Sequence, residues 1–500
     1  MPTLLARAAH PLFDRRSTRA LEHAALALHP HPSLMQRAGT ACAQVAQAMA
    51  PHARHIWVLC GPGNNGGDGL AAAAALAARG RAVTVTWLGT REHCSADTLL
   101  ALQQAQHQSI HWSNMPPTLD GHDLIIDALL GLGLRPGAAD ERIATLLQHS
   151  YASTAHCLAV DLPSGLDADT GHWQAGYVPQ VPVRNHSRHT VSLLALPPGL
   201  FTADGRDAAG QVWFDALGVA DLPIPPPAPT AWLHHPTPAA PRRHASHKGS
   251  FGDVLVIGGQ GLHAGAAMQG AAILAATAAL HQGAGRVFLH LLDNGQLAHL
   301  PQTPEIMLRN QVAALAQLSQ STVVCGCGGG SSVAALLPKV LEHSARLVLD
   351  ADALNAIATD AVLRQRLRNR QPGGLPTILT PHPLEAARLL ASSVQEVQAN
   401  RLAAAQNLAD SLGCTVLLKG SGSVIASPGQ LPRINPTGNA RLATGGTGDV
   451  LAGMIAALWA SQGQDSHTTA SDAAYLHGQL ADAWPAHRPL TASALAQMQY

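Results

Sequence analysis

The chain has 500 residues, of which 47% are hydrophobic and 12% charged, and its formal net charge is zero. That length exceeds what one hydrophobic core organises and implies two or three domains, while the charge balance offers no electrostatic footprint for nucleic acid or an anionic membrane surface. Small-molecule chemistry is the expected class.

Seven cysteines, an odd number with no C-x-x-C, argue against a disulfide framework or a zinc ribbon and suit a reducing cytoplasm. Cys325 and Cys327 are the closest pair and read as part of a glycine run rather than as metal ligands. The 28 histidines contain no H-E-x-x-H or Cys/His array and read as solvated surface. MPTLLARAAHPLFDRR has no secretory apolar region, and no stretch reaches the roughly 18 apolar residues of a membrane span, so a cytoplasmic location without a membrane partner is expected.

In chain order, HIWVLC at 55–60 reads as a buried strand, followed by CGPGNNGGDG, the helical LAAAAALAARG, and the strands AVTVTWLG, DLIIDALLG and HCLAVDLPSG. Helical segments between continuous apolar strands predict βαβ units and a parallel sheet covered on both faces. From Leu222 to Pro241 the chain carries eight prolines, a composition that blocks helix and ladder and predicts an extended spacer. The expected domains are 1–221 and 245–500, joined by a linker at 222–244. After the linker come GDVLVIGG, the helical AGAAMQGAAILAATAALHQG, then GRVFLHLLD, STVVCGCGGG, ARLVLDAD, PTILTPH and TVLLKGSGS, again α/β.

Ligands of open parallel sheets sit at the carboxyl ends of the strands. Gly61, Gly63 and Gly66 spell G-x-G-x-x-G, the turn in which backbone approaches a pyrophosphate. Unlike a dinucleotide turn, this loop is expected to hold Asn64, Asn65 and Asp68. Asp127 ends the DLIID strand and Asp161 ends HCLAVD, ahead of Ser164. Singly, each reads as a cap or turn residue. Together they favour a site whose oxygens suit a hard cation.

NNGGDG at 64–69, DALLGLGLRPG at 127–137 and VDLPSGLDADTG at 160–171 resemble the NAD(P)H-hydrate epimerase domain, and SLLALPPGLFTADGRDAAGQVWFDALGV at 192–219 resembles its final segment. The resemblance covers residues 10–220 and implies a Rossmann-like fold that interconverts R and S nicotinamide nucleotides hydrated at C6. It implies substrate contacts from Asn64, Asn65, Gly66, Gly67, Asp68, Gly131, Leu132, Gly133, Leu134, Arg135, Pro136, Gly137 and Asp161. It also implies a potassium ion held by Asn65, Asp127 and Ser164. Asp161 is the candidate for one acid/base role. Where the family has lysine before Pro-Gly, this chain has Pro197.

The second half has no G-x-x-x-x-G-K-[ST], which excludes a Walker-type loop. Instead Gly445, Gly446 and Gly448 feed a helix with apolar residues at Val450, Leu451, Met454, Ile455 and Leu458. Amides at such a start bind phosphate or a developing oxyanion. Asp449 reads either as an N-cap or as a general base for a hydroxyl attacking phosphate. G-G-T-G-D before a long helix resembles the ribokinase-like superfamily. HKGSFGDVLVIGG, GAGRV, LDADALN, LTPHPLEAARLL and LLKGSGSVI resemble its ADP- or ATP-dependent NAD(P)H-hydrate dehydratases across 245–495.

That resemblance implies nucleotide contacts from Lys419, Gly420, Ser421, Gly422, Ser423 and Gly448, and hydrated-substrate contacts from Ala266, Gly328, His382 and Asp449. Magnesium with ADP or ATP is the implied phosphoryl source. Among only three lysines, Lys419 is read as functional, while Lys248 is balanced between site and surface. The family's H-P-G-E is His382-Pro383-Leu384-Glu385 here, and its G-P-G-L-G is Gly326-Cys327-Gly328-Gly329-Gly330. The combined expectation is a bifunctional hydrate-repair enzyme acting on NADHX and NADPHX, with oligomeric state left open. The alternatives are a ribokinase-like kinase for a vitamin-like alcohol and a non-catalytic Rossmann-like binding module.

Overall fold

The computed structural model describes residues 2–4, 8–28, 30–134, 137–219, 227–236, 241, 243–262, 267–292 and 300–498. Arg135, Pro136 and Ala266 lie outside the described residues, as do 222–226, 237–240 and 242 of the proline-rich stretch. The chain divides into two compact units, Met1–Ala231 and Trp232–Tyr500.

In the first unit the parallel strands lie in the order Ile110–Trp112, Ala82–Trp87, His55–Cys60, Leu124–Ala128, His156–Val160, Arg188–Leu193, Gln211–Asp215, with Thr3–Leu4 antiparallel at the far edge. HIWVLC is apolar throughout because both of its faces are covered. Ile56, Val58 and Cys60 pack with helices Leu34–Met49 and Asn64–Ala77, whereas Trp57 and Leu59 pack with Leu146, Leu147 and Tyr151 of helix Glu141–Ala152. Chain order reverses between His55–Cys60 and Leu124–Ala128, so the crevice of this sheet opens beside CGPGNN.

The second unit repeats that logic. Its strands run Met307–Leu308, Arg286–Leu291, Asp253–Gly258, Thr322–Cys325, Arg346–Leu349, Thr377–Leu379, Thr415–Leu418, all parallel, then Val424–Ala426 and Arg433–Ile434 as an antiparallel extension. Here the reversal falls between Asp253–Gly258 and Thr322–Cys325. Helices Gln269–His281, Thr447–Gln462 and Ser466–Ala483 cover one face through Val254, Val256, Val324 and Val348. Leu255, Ile257, Val323 and Leu347 face the other core.

Within the proline-rich stretch, Ala231–Leu233 forms a strand parallel to Arg433–Ile434, with Trp232 N donating to Pro432 O at 2.9 Å. This proline-free tripeptide retains the N–H groups that the prolines on either side, Pro229 and Pro236, lack. His234 follows and meets buried Asp472 at 2.8 Å. The helix read from AGAAMQG onward begins at Gln269.

Candidate active sites

In the first unit, helix Asn64–Ala77 starts directly after Gly63, so Asn64, Asn65 and Asp68 occupy its opening turns rather than a loop. Glycine-rich sequence argues against a helix at roughly 1 kcal/mol per residue, yet contact geometry overrides that propensity. A Cβ at Gly61 would overlap the Leu129 carbonyl, and one at Gly66 would overlap the carbonyl of Gly61. These two glycines therefore serve strand–helix packing, and of the G-x-G-x-x-G set Gly63 faces open space.

Asn65 and Asp161 converge beneath Gly131, whose Cβ position lies 3.1 Å from Asn65 Cγ and 3.2 Å from Asp161 Oδ2. Both side-chain amide atoms of Asn65 are enclosed without a protein partner. Asp161 has φ 66°, a conformation few non-glycine residues adopt. Burial pushes its carboxyl up to about 7, against N–H donation from Leu132 and Leu193. Burial, then the charges of Asp161, Glu22 and Asp97, also raise Asp68.

Asp127 and Ser164 are buried and joined. The Ser164 hydroxyl donates to Asp127 Oδ1 at 2.5 Å, and its backbone N–H donates to Oδ2 at 3.0 Å. The Ser164 hydroxyl oxygen also accepts from Leu130 N at 2.8 Å, so the pair ties together two adjacent strand ends. Asn64 is exposed and accepts from the Ser95 hydroxyl at 3.0 Å. Gly67 packs on Met35 and Thr98, Leu134 is buried in the core, and Gly133 and Gly137 face open space. Pro197, at the departure from the family's lysine, is buried and precedes the turn Pro198–Phe201.

Spacing gave no warning of helix Arg15–Ala27, which pins this loop from far away in the chain. Arg15 Nη1 donates to Leu134 O at 2.9 Å and Nη2 to Asp167 Oδ2 at 2.7 Å, while Arg19 reaches Leu132 O at 3.2 Å. Glu22 on the same helix adds charge near Asp68 and Asp161.

In the second unit, helix Thr447–Gln462 begins after Gly446, whose φ is 92°. Asp449 is the third helical residue and makes no cap. Arg346 Nη1 donates to Trp459 O at 2.8 Å near the far end, so the helix runs from the carboxyl ends of the strands toward their amino ends. Gly453 makes the approach possible, since a Cβ there would overlap the Ala275 carbonyl of the neighbouring helix.

Asp350 follows strand Arg346–Leu349 and is 2% exposed. Lys419, after strand Thr415–Leu418, donates to its Oδ1 at 2.7 Å, and the Thr380 hydroxyl donates to the same oxygen at 2.8 Å. Gly448 lies beside this pair, its Cβ position 3.2 Å from Lys419 Nζ. Burial opposes the Lys419 charge, but Asp350 and Glu385 outweigh it and raise the ammonium's pKa. Burial and then Asp350 push Asp449 up to about 6. Cys327 Sγ, Asp350 and Asp449 place one ligand atom each within 4.8 Å of one another.

The Lys419–Ser423 turn is held by buried Arg401, whose Nη2 donates to Leu418 O at 3.3 Å and Lys419 O at 3.2 Å. Gly420 has φ 140°, and the Ser423 hydroxyl donates to its carbonyl at 3.2 Å. Ser421 is exposed and Gly422 buried in the same turn. Gly328, with φ 58°, receives Gln260 N on its carbonyl at 2.6 Å, joining the loops on either side of the switch point.

His382 caps helix Pro383–Leu390. Its Nδ1 accepts from Leu384 N at 3.1 Å while Glu385 returns a bond to the His382 N–H at 2.8 Å. Burial and then Lys419 lower its pKa, favouring the neutral ring. Leu384 is 43% exposed, so the chain accommodates leucine where the family has glycine. Lys248 is exposed in the turn Lys248–Phe251 before strand Asp253–Gly258, at the amino edge of the sheet, away from Asp350 and Lys419. Asp350, Thr380 and Arg401 were not singled out from sequence. The strand-end rule applied to Asp127 and Asp161 would have found Asp350.

A family model described as YjeF-related protein N-terminus matches residues 31–199, and one described as NAD(P)H-hydrate dehydratase matches 254–499. The bifunctional NAD(P)H-hydrate repair enzyme of Escherichia coli (strain K12) is 36% identical over 469 residues, covering 90% of this chain and 84% of that protein. The chain belongs to the bifunctional NAD(P)H-hydrate repair enzyme family. Within it, the second half is similar to the ADP-dependent (S)-NAD(P)H-hydrate dehydratase of Neisseria meningitidis serogroup B, 43% identical over 48% of this chain and 80% of that protein. The solved ADP/ATP-dependent NAD(P)H-hydrate dehydratase of Bacillus subtilis, co-crystallized with ATP and Mg2+, is 30% identical, covering 51% of this chain and 90% of that one, with a TM-score of 0.42. No helix among the described residues is long and apolar enough to cross a membrane.

Proposed function

We propose that this hydrate-repair family member works as two catalysts in one chain. The first unit epimerises NADHX and NADPHX, and the second dehydrates the S epimer to NADH or NADPH at the expense of ADP or ATP. The observation that carries the second activity is the grouping of Asp449, Asp350 and Lys419 at one helix start beside the switch point. Asp449 accepts the proton of the C6 hydroxyl as its oxygen attacks the terminal phosphorus, and the donor leaves one phosphate shorter. The C6–O bond then breaks with phosphate departing, and loss of a C5 proton restores the ring double bond.

Lys419 and the Gly420, Ser421, Gly422 and Ser423 turn hold the nucleotide, together with Gly448, whose amide lies at the helix N-terminus. Magnesium would accompany the nucleotide, its charge shared with phosphate oxygens. His382 and Gly328 line the hydrated substrate, and Ala266 has the same assigned role.

In the first unit Asp161 exchanges a proton with the hydrated ring. Its carboxyl, raised to about 7, is divided between both protonation states near neutral pH. The donors Asn65, Asp127 and Ser164 are all oxygens, and the enclosed Asn65 amide has a carbonyl oxygen without a protein partner, which suits a hard cation. A potassium ion bound there would neutralise local carboxylate charge. Gly131, Leu132, Gly133 and Gly137, with Gly66, Gly67 and Asp68, border the substrate, and a cytoplasmic setting suits seven free thiols.

Incubating hydrated NADH with the protein and ADP or ATP tests this reading. Recovery of reduced-nicotinamide absorbance with one donor is expected. A stable phosphorylated product without that absorbance would instead identify a kinase.

A further inference from the structure

The residue at the family's proline position sits inside the dehydratase site. Cys327 is fully buried, and its carbonyl accepts from Gly259 N at 2.9 Å, which fixes the loop across the switch point. Its S–H donates to Asp350 Oδ2 at 4.0 Å, and its Sγ lies within 4.8 Å of an Asp449 carboxylate oxygen. Asp350 Oδ1 accepts from Lys419 and Thr380 and Oδ2 accepts from the thiol, so Cys327 completes the donor set of the carboxylate beside Asp449. Proline there offers no donor; cysteine offers one.

We propose that Cys327 is a positioning residue for the dehydratase base, donating its S–H to Asp350 Oδ2 and so easing that carboxylate's repulsion of Asp449, which stays ionised and turned toward the substrate hydroxyl. This rests on the reading of Asp449 as the base. Burial and the charges of Asp449 and Asp350 keep the thiol protonated, so it is a donor across the working pH range. The charged groups facing Asp449 are Asp350, Asp352 and Lys419, with Glu385 behind Lys419 and Asp350. Among these and Cys327, only Cys327 and Lys419 favour the carboxylate form.

The test measures dehydratase kcat and KM from pH 5.5 to 8.5 in the full chain carrying Cys327→Ala, Cys327→Ser or Cys327→Pro, with nucleotide affinity followed by calorimetry. Cys327→Ala and Cys327→Pro are expected to lower kcat about threefold to tenfold near pH 6, narrowing toward parity at pH 8, with KM within about twofold. Cys327→Ser, which keeps a donor of similar volume, restores the parent profile. A loss uniform with pH, a serine variant no better than alanine, or no loss at all overturns the proposal. Asp449→Asn separates the two claims: if that variant retains full dehydratase activity, the base assignment itself fails.

Discussion

A carboxyl that ionises near neutrality stores a stability effect as well as a catalytic one. If Asp449, raised to about 6, is the base as proposed, it must be deprotonated to act, so dehydratase kcat/KM should hold above pH 7 and fall about tenfold per unit well below pH 6. Asp449→Asn should remove about 10²–10⁴-fold of that rate in a coupled absorbance assay while R/S exchange continues. For Asp161 the folded-state pKa is raised, so the folded protein binds the proton more tightly than the unfolded chain. The resulting stabilisation is present below the unfolded value near 4 and is lost as pH rises through about 7. Asp161→Asn, which tolerates the left-handed backbone, should therefore stabilise the first unit at pH 8 by on the order of 1–2 kcal/mol and by little at pH 5. Urea titrations at the two pH values check the sign, and equal midpoints at pH 8 would refute it.

Elements show where local preference yields to contact. Helix Asn64–Ala77 begins among glycines because Gly61 and Gly66 must let backbones touch, information that a single sequence does not carry. The strands, by contrast, were legible, since continuous apolar runs such as HIWVLC and GDVLVIGG require cover on both faces. Asp127 and Asp161 were legible as strand-end groups, and Lys419 as a rare lysine beside glycine. Lys248, balanced from sequence between site and surface, lies exposed in a turn at the opposite edge. Helix Thr447–Gln462 depends on one such contact, and Gly453→Ala should cost about 1–3 kcal/mol by overpacking against Ala275, read as a lower urea midpoint with an unchanged m-value. The same helix is held by His477, whose Nε2 donates to Thr447 O at 2.9 Å. Burial lowers His477 to about 4, and His467 likewise to about 4. Stability from such neutral histidines is full above about 6.5 and is lost as pH falls toward 4. His477→Gln should flatten the pH dependence of second-unit unfolding between those values.

At the scale of the whole molecule, two sheets with the same inner strand order carry unrelated constellations, consistent with function residing in the site rather than the fold. The division of labour has a kinetic signature. With mixed epimers, the parent should convert all hydrate in one continuous phase, whereas Asp161→Asn should stop after the S fraction and continue only at the spontaneous epimerisation rate. A single phase in the variant would remove Asp161 from the proton transfer. The first site also has an unusual relation to time. Arg15 has its partners at Leu134 and Asp167, 119 and 152 positions later in the chain. Helix Arg15–Ala27 can dock only after segments more than a hundred residues downstream have been made, so these contacts close late in the assembly of the sheet.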